Sequence, residues 1–302
     1  MKNFTSNGKL LITSEYVVLD GALSLAIPTK LGQSLKIEPI NEPKIIWSSL
    51  DEKDAIWFKD EFQIEQLISS QAPHDDVSNR LIQILNATKQ LNPNFLKNST
   101  GFKLTTKLDF PKNWGLGTSS TLINNIAQWA NVDPYRLLKN TFGGSGYDVA
   151  CARNDTPITY QLQNEKPIIK SVDFNPLFKN HLYFVHLNKK QNSRDGIKHY
   201  NETKGRSLNT TISNINDITL KIIDCKNLSD FENLLNQHET IISKVTKQTP
   251  VKELLFNDFK GSIKSLGAWG GDFVLTTSKE NPSNYFKNKG FNTIIPYSDM
   301  VL

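Results

Sequence analysis

The chain has 302 residues, of which 38% are hydrophobic and 22% are charged, and this composition excludes a disordered or low-complexity protein. The formal net charge of +5 comes from basic and acidic residues interspersed along the chain, which argues against a nucleic-acid-binding stripe. Its two cysteines, Cys151 and Cys225, match neither a disulfide framework nor a zinc site.

Neither a membrane span nor a signal peptide is expected. A transmembrane helix needs about 18 consecutive apolar residues, and the sequence has no such run. The first apolar run, from Leu10, is broken by Ser14 and Glu15, which leaves no signal-peptide core. We therefore predict a cytoplasmic monomer or homodimer whose modest positive charge suits a small anionic partner.

The first part of the chain is predicted to be rich in β-strands. Short runs of β-branched, aromatic and leucine residues are separated by turn signals, of which Asp20-Gly21 is the strongest hairpin signal. The predicted strands cover 9–16, 22–27, 34–37, 44–47, 55–58 and 102–108. Residues 75–91 follow a helical period instead, with one apolar face formed by Val77, Leu81, Ile84, Leu85 and Leu91.

The rest of the chain alternates between helical and strand patterns. Helices are predicted at 122–130, 134–140, 207–224, 228–245 and 282–289, and strands at 158–162, 181–187, 272–277 and 293–295. The sequence contains no repeat and no linker that would mark a domain boundary. We place the boundary near 173–179, which gives domains of 1–175 and 176–302.

A glycine-hydroxyl loop lies between the strand at 102–108 and the helix at 122–130. It reads Gly115-Leu116-Gly117-Thr118-Ser119-Ser120. Small residues at a helix N-terminus let backbone N–H groups converge on an anion, and the helix dipole adds positive charge, so the loop predicts a phosphate site. The alternative is a plain helix N-cap, where Ser and Thr are favoured. The loop lacks the lysine of a Walker A motif.

Two charged residues are candidates for phosphoryl-transfer chemistry. Asp148 follows a glycine cluster at 143–146 and precedes a helix-like run, where a carboxylate can be both held rigidly and exposed to a substrate. Lys9 opens an apolar strand and could pair with Asp148 or with phosphate. The alternatives are that Asp148 caps the following helix and that Lys9 is merely solvated.

Three segments, in this order, resemble the motifs of the GHMP kinase superfamily. The first runs over 8–19 with the pair Glu15-Tyr16, the second is the stretch 111–120, and the third is the glycine turn at 267–273. The resemblance covers most of the chain. It implies an α+β fold with an N-terminal domain like ribosomal S5 domain 2, a C-terminal ferredoxin-like domain and an active site between them.

The resemblance also implies a small-molecule kinase that uses ATP and Mg²⁺, and it gives each matching residue a role. Asp148 would be the catalytic base or orienting carboxylate, with Lys9 as its charged neighbour. The ATP phosphates would be bound by Gly115, Gly117, Thr118, Ser119 and Ser120, with Ser119 as the magnesium ligand. The substrate would be bound by Glu15, Tyr16, Ser193, Arg194, Gly270 and Gly271.

The finer details resemble the phosphomevalonate kinase branch, with mevalonate kinase as the next choice. The segments that carry this resemblance are 15–16, 145–150, 192–195 and 270–272. A solvated basic loop is the alternative for 189–194. Other possibilities are a homoserine or sugar kinase, a diphosphomevalonate decarboxylase, an inactive nucleotide-binding homologue, or a nucleic-acid-binding module.

Three residues depart from the superfamily pattern. Ser14 replaces a glycine, Thr118 replaces a serine, and Trp269 interrupts the third glycine cluster. We expect the Trp269 ring to stand where the backbone should approach phosphate or substrate. Many relatives supply a second magnesium carboxylate just before the catalytic Asp, but residues 136–147 contain no acidic residue.

Overall fold

The computed structural model describes residues 1–65, 76–97 and 100–302, which form two compact units. Unit 1 comprises Met1–Gly8, Leu31–Lys112 and Gly117–Arg153. Unit 2 comprises Lys9–Lys30, Asn113–Leu116 and Asn154–Leu302. Neither unit is a single run of chain, and the division into 1–175 and 176–302 stays a prediction.

Strands and helices are intermixed along the chain. The strands are β1 (Lys2–Leu11), β2 (Ser24–Ile40), β3 (Lys44–Leu50), β4 (Ile56–Gln63), β5 (Gly101–Leu108), β6 (Ile158–Gln163), β7 (Lys166–Ser171), β8 (Leu182–His186), β9 (Ile263–Ser265), β10 (Phe273–Thr277) and β11 (Ile294–Pro296). The α-helices are α1 (Asp76–Leu91), α2 (Thr118–Ala130), α3 (Pro134–Lys139), α4 (Tyr147–Arg153), α5 (Ser193–Thr203), α6 (Asn209–Ile223), α7 (Leu228–Thr246), α8 (Val251–Leu255), α9 (Ser283–Asn288) and α10 (Tyr297–Met300).

Unit 1 combines a mixed sheet with helices. Its strands are ordered β4-β3-β5-β2, with β3 parallel to β5 and the other pairs antiparallel. Leu104, Thr106 and Leu108 of β5 are buried while Lys103 is exposed, as expected for a strand with one face against the core. α2 packs against α1, α3 and α4, and the apolar side chains of these elements form one core with the sheet.

Buried polar side chains fix α2 within unit 1. Asn125 Nδ2 donates to the carbonyl of Gln33 at 3.0 Å, and Ser6 Oγ donates to Asn125 Oδ1 at 2.7 Å. Asn124 Nδ2 donates to Ser6 Oγ at 2.9 Å and to the carbonyl of Ala152 at 3.3 Å. These bonds set the position of α2 relative to two strands and to α4, since an unpaired buried amide is costly.

Unit 2 contains a four-stranded antiparallel sheet in the order β11-β8-β10-β9. α7 packs against α5, α6 and β9, and α8 packs against β9. A second antiparallel arrangement pairs Ser24–Ala26 of β2 with β6, which in turn pairs with β7. β9 lies at the sheet edge, so the backbone groups on its outer side need partners from other elements.

The opening of the chain differs from the sequence prediction. β1 ends at Leu11 rather than continuing to residue 16, because Ser14 and Tyr16 adopt positive φ angles of 73° and 65° that a strand cannot accommodate. A 3₁₀ helix at Val17–Asp20 follows, and Gly21 ends it with φ of 90°. Asp20-Gly21 is therefore a helix C-cap and not a two-residue hairpin turn.

The predicted apolar face of α1 is only partly correct. Leu81, Ile84 and Leu85 are buried in the core of unit 1, whereas Val77 is 36% exposed and Leu91 is half-buried. Val77 lies in the first turn of the helix, at the end of the buried stripe.

Ile84→Ala should lower the free energy of unfolding by about 2–5 kcal/mol, because it deletes a fully buried side chain. Val77→Ala, on the same helix, should cost about 0.5 kcal/mol, as is usual for exposed positions. Urea unfolding of both variants checks the orientation of α1, and equal losses would contradict it.

Candidate active site

The predicted phosphate loop has a glycine at the N-cap of α2. Gly117 occupies that position with φ of 100°, and no side chain caps the helix. Thr118 is half-buried and Ser119 is exposed in the first turn, whereas Ser120 is buried and its Oγ donates to the carbonyl of Gly117 at 2.8 Å. The plain N-cap interpretation is wrong, because the hydroxyl residues lie inside the helix.

Asp148 lies in unit 1, in the first turn of α4, and is half-buried. Three glycines precede it, Gly143, Gly144 and Gly146, with φ angles of 69°, 94° and 90° that other residues rarely adopt. α4 packs against α2, the helix that begins at the phosphate loop. The glycine cluster therefore gives the chain the sharp turn that the sequence predicted before Asp148.

Lys9 makes specific contacts in unit 2. Its Nζ donates to the carbonyl of Gly115 at 2.9 Å, and its backbone N–H donates to the carbonyl of Leu116 at 3.0 Å. The half-buried side chain is also close enough to Asp272 for its charge to lower that carboxyl's pKa. The alternative interpretation, in which Lys9 is merely solvated, is therefore wrong. Its pairing with Asp148, which belongs to unit 1, stays a prediction.

Asp272, in the third glycine turn, lies against Gly115 of the predicted phosphate loop. A Cβ added to Gly115 would lie 2.3–2.5 Å from the Asp272 carboxylate, so a glycine is needed there. Asp272 Oδ1 accepts the Gln191 backbone N–H at 3.1 Å. Burial raises the pKa of Asp272, and the positive charge of Lys9 opposes that rise most strongly. Lys9, Gly115 and Asp272 thus form one cluster.

Tyr16 connects the first motif to the third motif and to α5. Its hydroxyl accepts the Trp269 backbone N–H at 3.1 Å, and its ring stacks on Tyr200 with centroids 5.5 Å apart. A Cβ on Gly196 would lie 2.8 Å from that hydroxyl. The Trp269 ring is 2% exposed and packs with Tyr16 and Tyr200 in the core of unit 2. The expectation that this ring stands where the backbone should approach phosphate or substrate stays a prediction, and the core is its observed environment.

Glu15 is fully buried and makes an ion pair with Lys264. The Lys264 Nζ donates to Glu15 Oε1 at 2.5 Å, and His238 Nε2 lies 3.6 Å from Glu15 Oε2. Burial raises the pKa of Glu15 to about 7, although Lys264 opposes that rise. The assignment of Glu15 to substrate binding stays a prediction, and the ion pair is its observed contact.

Ser14 keeps the left-handed backbone that a glycine would adopt without strain. A non-glycine residue there costs about 1–2 kcal/mol. Two hydrogen bonds offset this cost, because the Ser14 N–H donates to His238 Nε2 at 2.8 Å and its Oγ donates to the carbonyl of Leu23 at 2.6 Å. This departure from the superfamily pattern is therefore accommodated locally.

The other predicted substrate-binding residues lie in unit 2. Ser193 and Arg194 are exposed at the start of α5, where Asn192 caps the helix by accepting the Arg194 N–H. Gly270 is exposed with φ of 86°, and a Cβ there would meet open space. Gly271 is buried, and a Cβ there would lie 2.8 Å from the carbonyl of Lys189.

Within residues 1–65, 76–97 and 100–302, no three His, Cys, Asp or Glu side chains are grouped so as to hold a metal ion. Among the helices of these residues, none is both long enough and apolar enough to cross a membrane.

No family model matches the chain, and no curated protein matches it in sequence. Solved structures do match it. Mevalonate kinase of Methanococcus jannaschii matches with a TM-score of 0.72 and 17% identity, over 97% of this chain and 96% of that one. Phosphomevalonate kinase of Streptococcus pneumoniae, in complex with phosphomevalonate and AMPPNP, matches with a TM-score of 0.71 and 15% identity, over 100% of this chain and 98% of that one. Galactokinase of Lactococcus lactis, in complex with galactose, matches with a TM-score of 0.65 and 14% identity, over 95% of this chain and 88% of that one.

The chain has the GHMP kinase fold. The fold predicted from three short segments is thereby confirmed. The three GHMP structures act on different substrates, and their TM-scores of 0.65–0.72 are similar. Overall shape thus does not distinguish between the substrates of those three proteins.

Sequence reasoning missed Lys264, Glu239 and His238. Lys264 occurs in a short strand pattern in which a lysine is usually solvated, and its partner Glu15 is 249 positions away. His238 and Glu239 are polar residues of an amphipathic helix pattern. Asp272 directly follows Gly270 and Gly271, and this position after two glycines is a sequence signal for a carboxylate held in a tight turn.

Gly115→Ala should lower the free energy of unfolding by about 1–3 kcal/mol more than Gly143→Ala. The two glycines have nearly equal φ angles of 68° and 69°, so both variants carry the same backbone strain. Only the Gly115 variant also displaces a carboxylate, since Gly143 has no atom within 4 Å of an added Cβ. Equal losses in urea unfolding would contradict the contact with Asp272.

Proposed function

We propose that this GHMP-fold protein is a kinase that transfers the γ-phosphoryl group of Mg-ATP to an oxygen of a small anionic substrate, with phosphomevalonate preferred over mevalonate. The observation that carries this proposal is the N-terminus of α2. Gly117 occupies the N-cap position, so no side chain caps the helix, and the half-buried Thr118 and the exposed Ser119 lie in the first turn. Such an end supplies backbone N–H groups and a positive dipole end to a phosphate.

Asp148 and Lys9 are the residues that we assign to the transfer itself. Phosphoryl transfer depends mainly on positioning and charge neutralisation, so a carboxylate that orients the acceptor oxygen is sufficient as a base. The half-buried Asp148 follows a turn of three glycines with positive φ. Lys9 has its ammonium at the carbonyl of Gly115, next to the loop assigned to the phosphates, and would offset the negative charge that develops there.

Magnesium fits the residues present if the nucleotide supplies most of its ligands. Mg²⁺ retains waters and commonly binds through one or two protein oxygens together with substrate phosphates. The exposed Ser119 hydroxyl is the protein ligand that we propose. When bound, the ion would neutralise phosphate charge.

The cationic surface at the start of α5 supports a substrate that carries a phosphate. Lys189, Lys190 and Arg194 are exposed, and Ser193 and Arg194 occupy the first turn of the helix. A guanidinium and a helix N-terminus both favour a phosphate over a neutral hydroxyl. This is the feature that favours phosphomevalonate over mevalonate, homoserine or galactose.

Asp148→Asn should lower kcat by about 10²–10⁴-fold, because the amide cannot accept a proton from the acceptor or orient it as an anion does. The dissociation constant for ATP should stay unchanged. Asp173→Asn, which removes an exposed carboxylate in unit 2, is the matched control and should behave like wild type. Full turnover by the Asp148 variant would refute its assigned role.

Coupled ADP release from Mg-ATP should be fastest with phosphomevalonate in a panel that includes mevalonate, homoserine and galactose. Arg194→Met should then raise KM for phosphomevalonate at least about tenfold, as expected when a charged hydrogen bond is lost. Lys198→Met, on the same helix, is the control. Turnover of mevalonate alone would overturn the preferred substrate while retaining the kinase assignment.

An inactive nucleotide-binding protein is the second candidate, favoured by the lack of an acidic residue at 136–147. It predicts ATP binding without ADP release for every substrate in the panel.

A further inference from the structure

Four ionisable side chains form a buried cluster in unit 2. Glu15, His238 and Lys264 have no exposed area, and Glu239 is 5% exposed. Lys264 Nζ lies 2.5 Å from Glu15 Oε1 and 4.0 Å from Glu239 Oε2. The four residues come from three elements, namely the segment after β1, the helix α7 and the strand β9.

His238 is neutral in this cluster. The Ser14 N–H donates to its Nε2 at 2.8 Å, so that nitrogen must carry a lone pair and the proton must be on Nδ1. Burial and the charge of Lys264 both lower the pKa of His238. His238 therefore cannot supply a positive charge to Glu15, although its Nε2 is 3.6 Å from Glu15 Oε2.

Within the part of the chain that the structure describes, Lys264 is then the one cation facing the carboxyl groups of Glu15 and Glu239. Tyr16, which adjoins Glu15, adds no charge because burial raises the pKa of its phenol. Glu15 Oε2 and Glu239 Oε2 are buried and have no hydrogen-bond partner among the described residues. An uncompensated buried charge is costly, and a proton retained on one carboxyl removes it. Burial accordingly raises the pKa of Glu15 to about 7 and also raises that of Glu239.

The cluster supports the hairpin that carries the third glycine turn. β9 and β10 pair around this turn, and the Leu266 N–H donates to the carbonyl of Phe273 at its base. Glu239 Oε1 accepts from the backbone N–H of Ser265 at 3.0 Å and from its Oγ at 2.7 Å. Glu239 thus satisfies an outward N–H of the edge strand, while Lys264 ties the same strand to Glu15.

We propose that Glu239 and Lys264 are positioning residues, which together with Glu15 form a neutral cluster that retains one proton and holds the β9–β10 hairpin against the Glu15-Tyr16 segment. Any effect of these residues on turnover rests on the proposed function, because it requires that the chain is a kinase. The retained proton and the hairpin contact do not depend on it.

The proton makes the stability of the fold depend on pH. The pKa of Glu15 rises from its ordinary value of 4.5 to about 7 in the folded chain, so the folded state binds more protons than the unfolded state between these values. The free energy of unfolding contributed by this group is therefore fully present below about pH 4.5 and is lost as pH rises through about 7.

The test compares wild type with Glu239→Gln and with Glu253→Gln, which removes an exposed carboxylate on α8. The infrared spectrum of the folded wild type near about pH 6, where ordinary carboxyls are ionised, should contain the carbonyl band of a buried carboxylic acid. Glu239→Gln should lose this band, because Glu15 then pairs alone with Lys264. Glu253→Gln should keep it.

Urea unfolding between about pH 4.5 and 7 is the second measurement. The decline in stability with pH should be shallower in Glu239→Gln than in wild type and unchanged in Glu253→Gln. Equal slopes in wild type and Glu239→Gln, or a wild-type spectrum without the acid band, would overturn the proposal. If Glu239→Gln does not fold, the wild-type spectrum decides.

Turnover provides a separate result. If the chain is a kinase, Glu239→Gln should change the pH profile of kcat, whereas Glu253→Gln should keep the wild-type profile. If no substrate in the panel turns over, the spectrum and the unfolding slopes still test the retained proton, so the two proposals can fail independently.

Discussion

The buried ion pair between Glu15 and Lys264 is the contact on which the rest of the site in unit 2 depends. It joins the first predicted motif to the strand that leads into the third, across 249 positions of sequence. Removing Lys264 would leave two carboxyl groups in the interior without a cation, and breaking a buried pair in this way costs about 3–5 kcal/mol. The pair is therefore valuable for the arrangement that it enforces, whatever its net contribution to stability.

Two consequences follow along the chain. The hairpin that the pair holds presents Asp272 to Gly115 and to the positive charge of Lys9, and only a glycine leaves room for that carboxylate. Beside the pair, Tyr16 hydrogen-bonds the backbone of Trp269 and stacks on Tyr200 of α5. Through these contacts, the first motif positions both the third motif and the helix that begins with the predicted substrate residues.

The elements that local pattern specifies were predictable from sequence. Glycine spacing indicated both the loop before α2 and the glycine cluster before Asp148, and the helical period predicted α1, whose described residues are Asp76–Leu91. The fold followed from three motifs in order, since their combination is far more specific than any of them alone.

What the sequence did not reveal depends on contacts between distant residues. The alternation around Lys264 gives no indication that a lysine is fully buried there, because its partner lies at the other end of the chain. The direction of the Trp269 ring depends on a core built from the first motif, α5, α6 and α7. The end of β1 depends on the positive φ of Ser14, which is held by a histidine on α7.

A double-mutant cycle on Glu15→Gln and Lys264→Met tests most directly whether this ion pair holds the site together. Urea unfolding should show a loss of about 3–5 kcal/mol for Lys264→Met, which leaves two buried carboxyl groups without their cation. Glu15→Gln should cost less, because Glu239 remains beside Lys264, and the loss in the double variant should be clearly smaller than the sum of the two. Losses that simply add would mean that the two side chains act independently, and would contradict this account of how the motifs are joined.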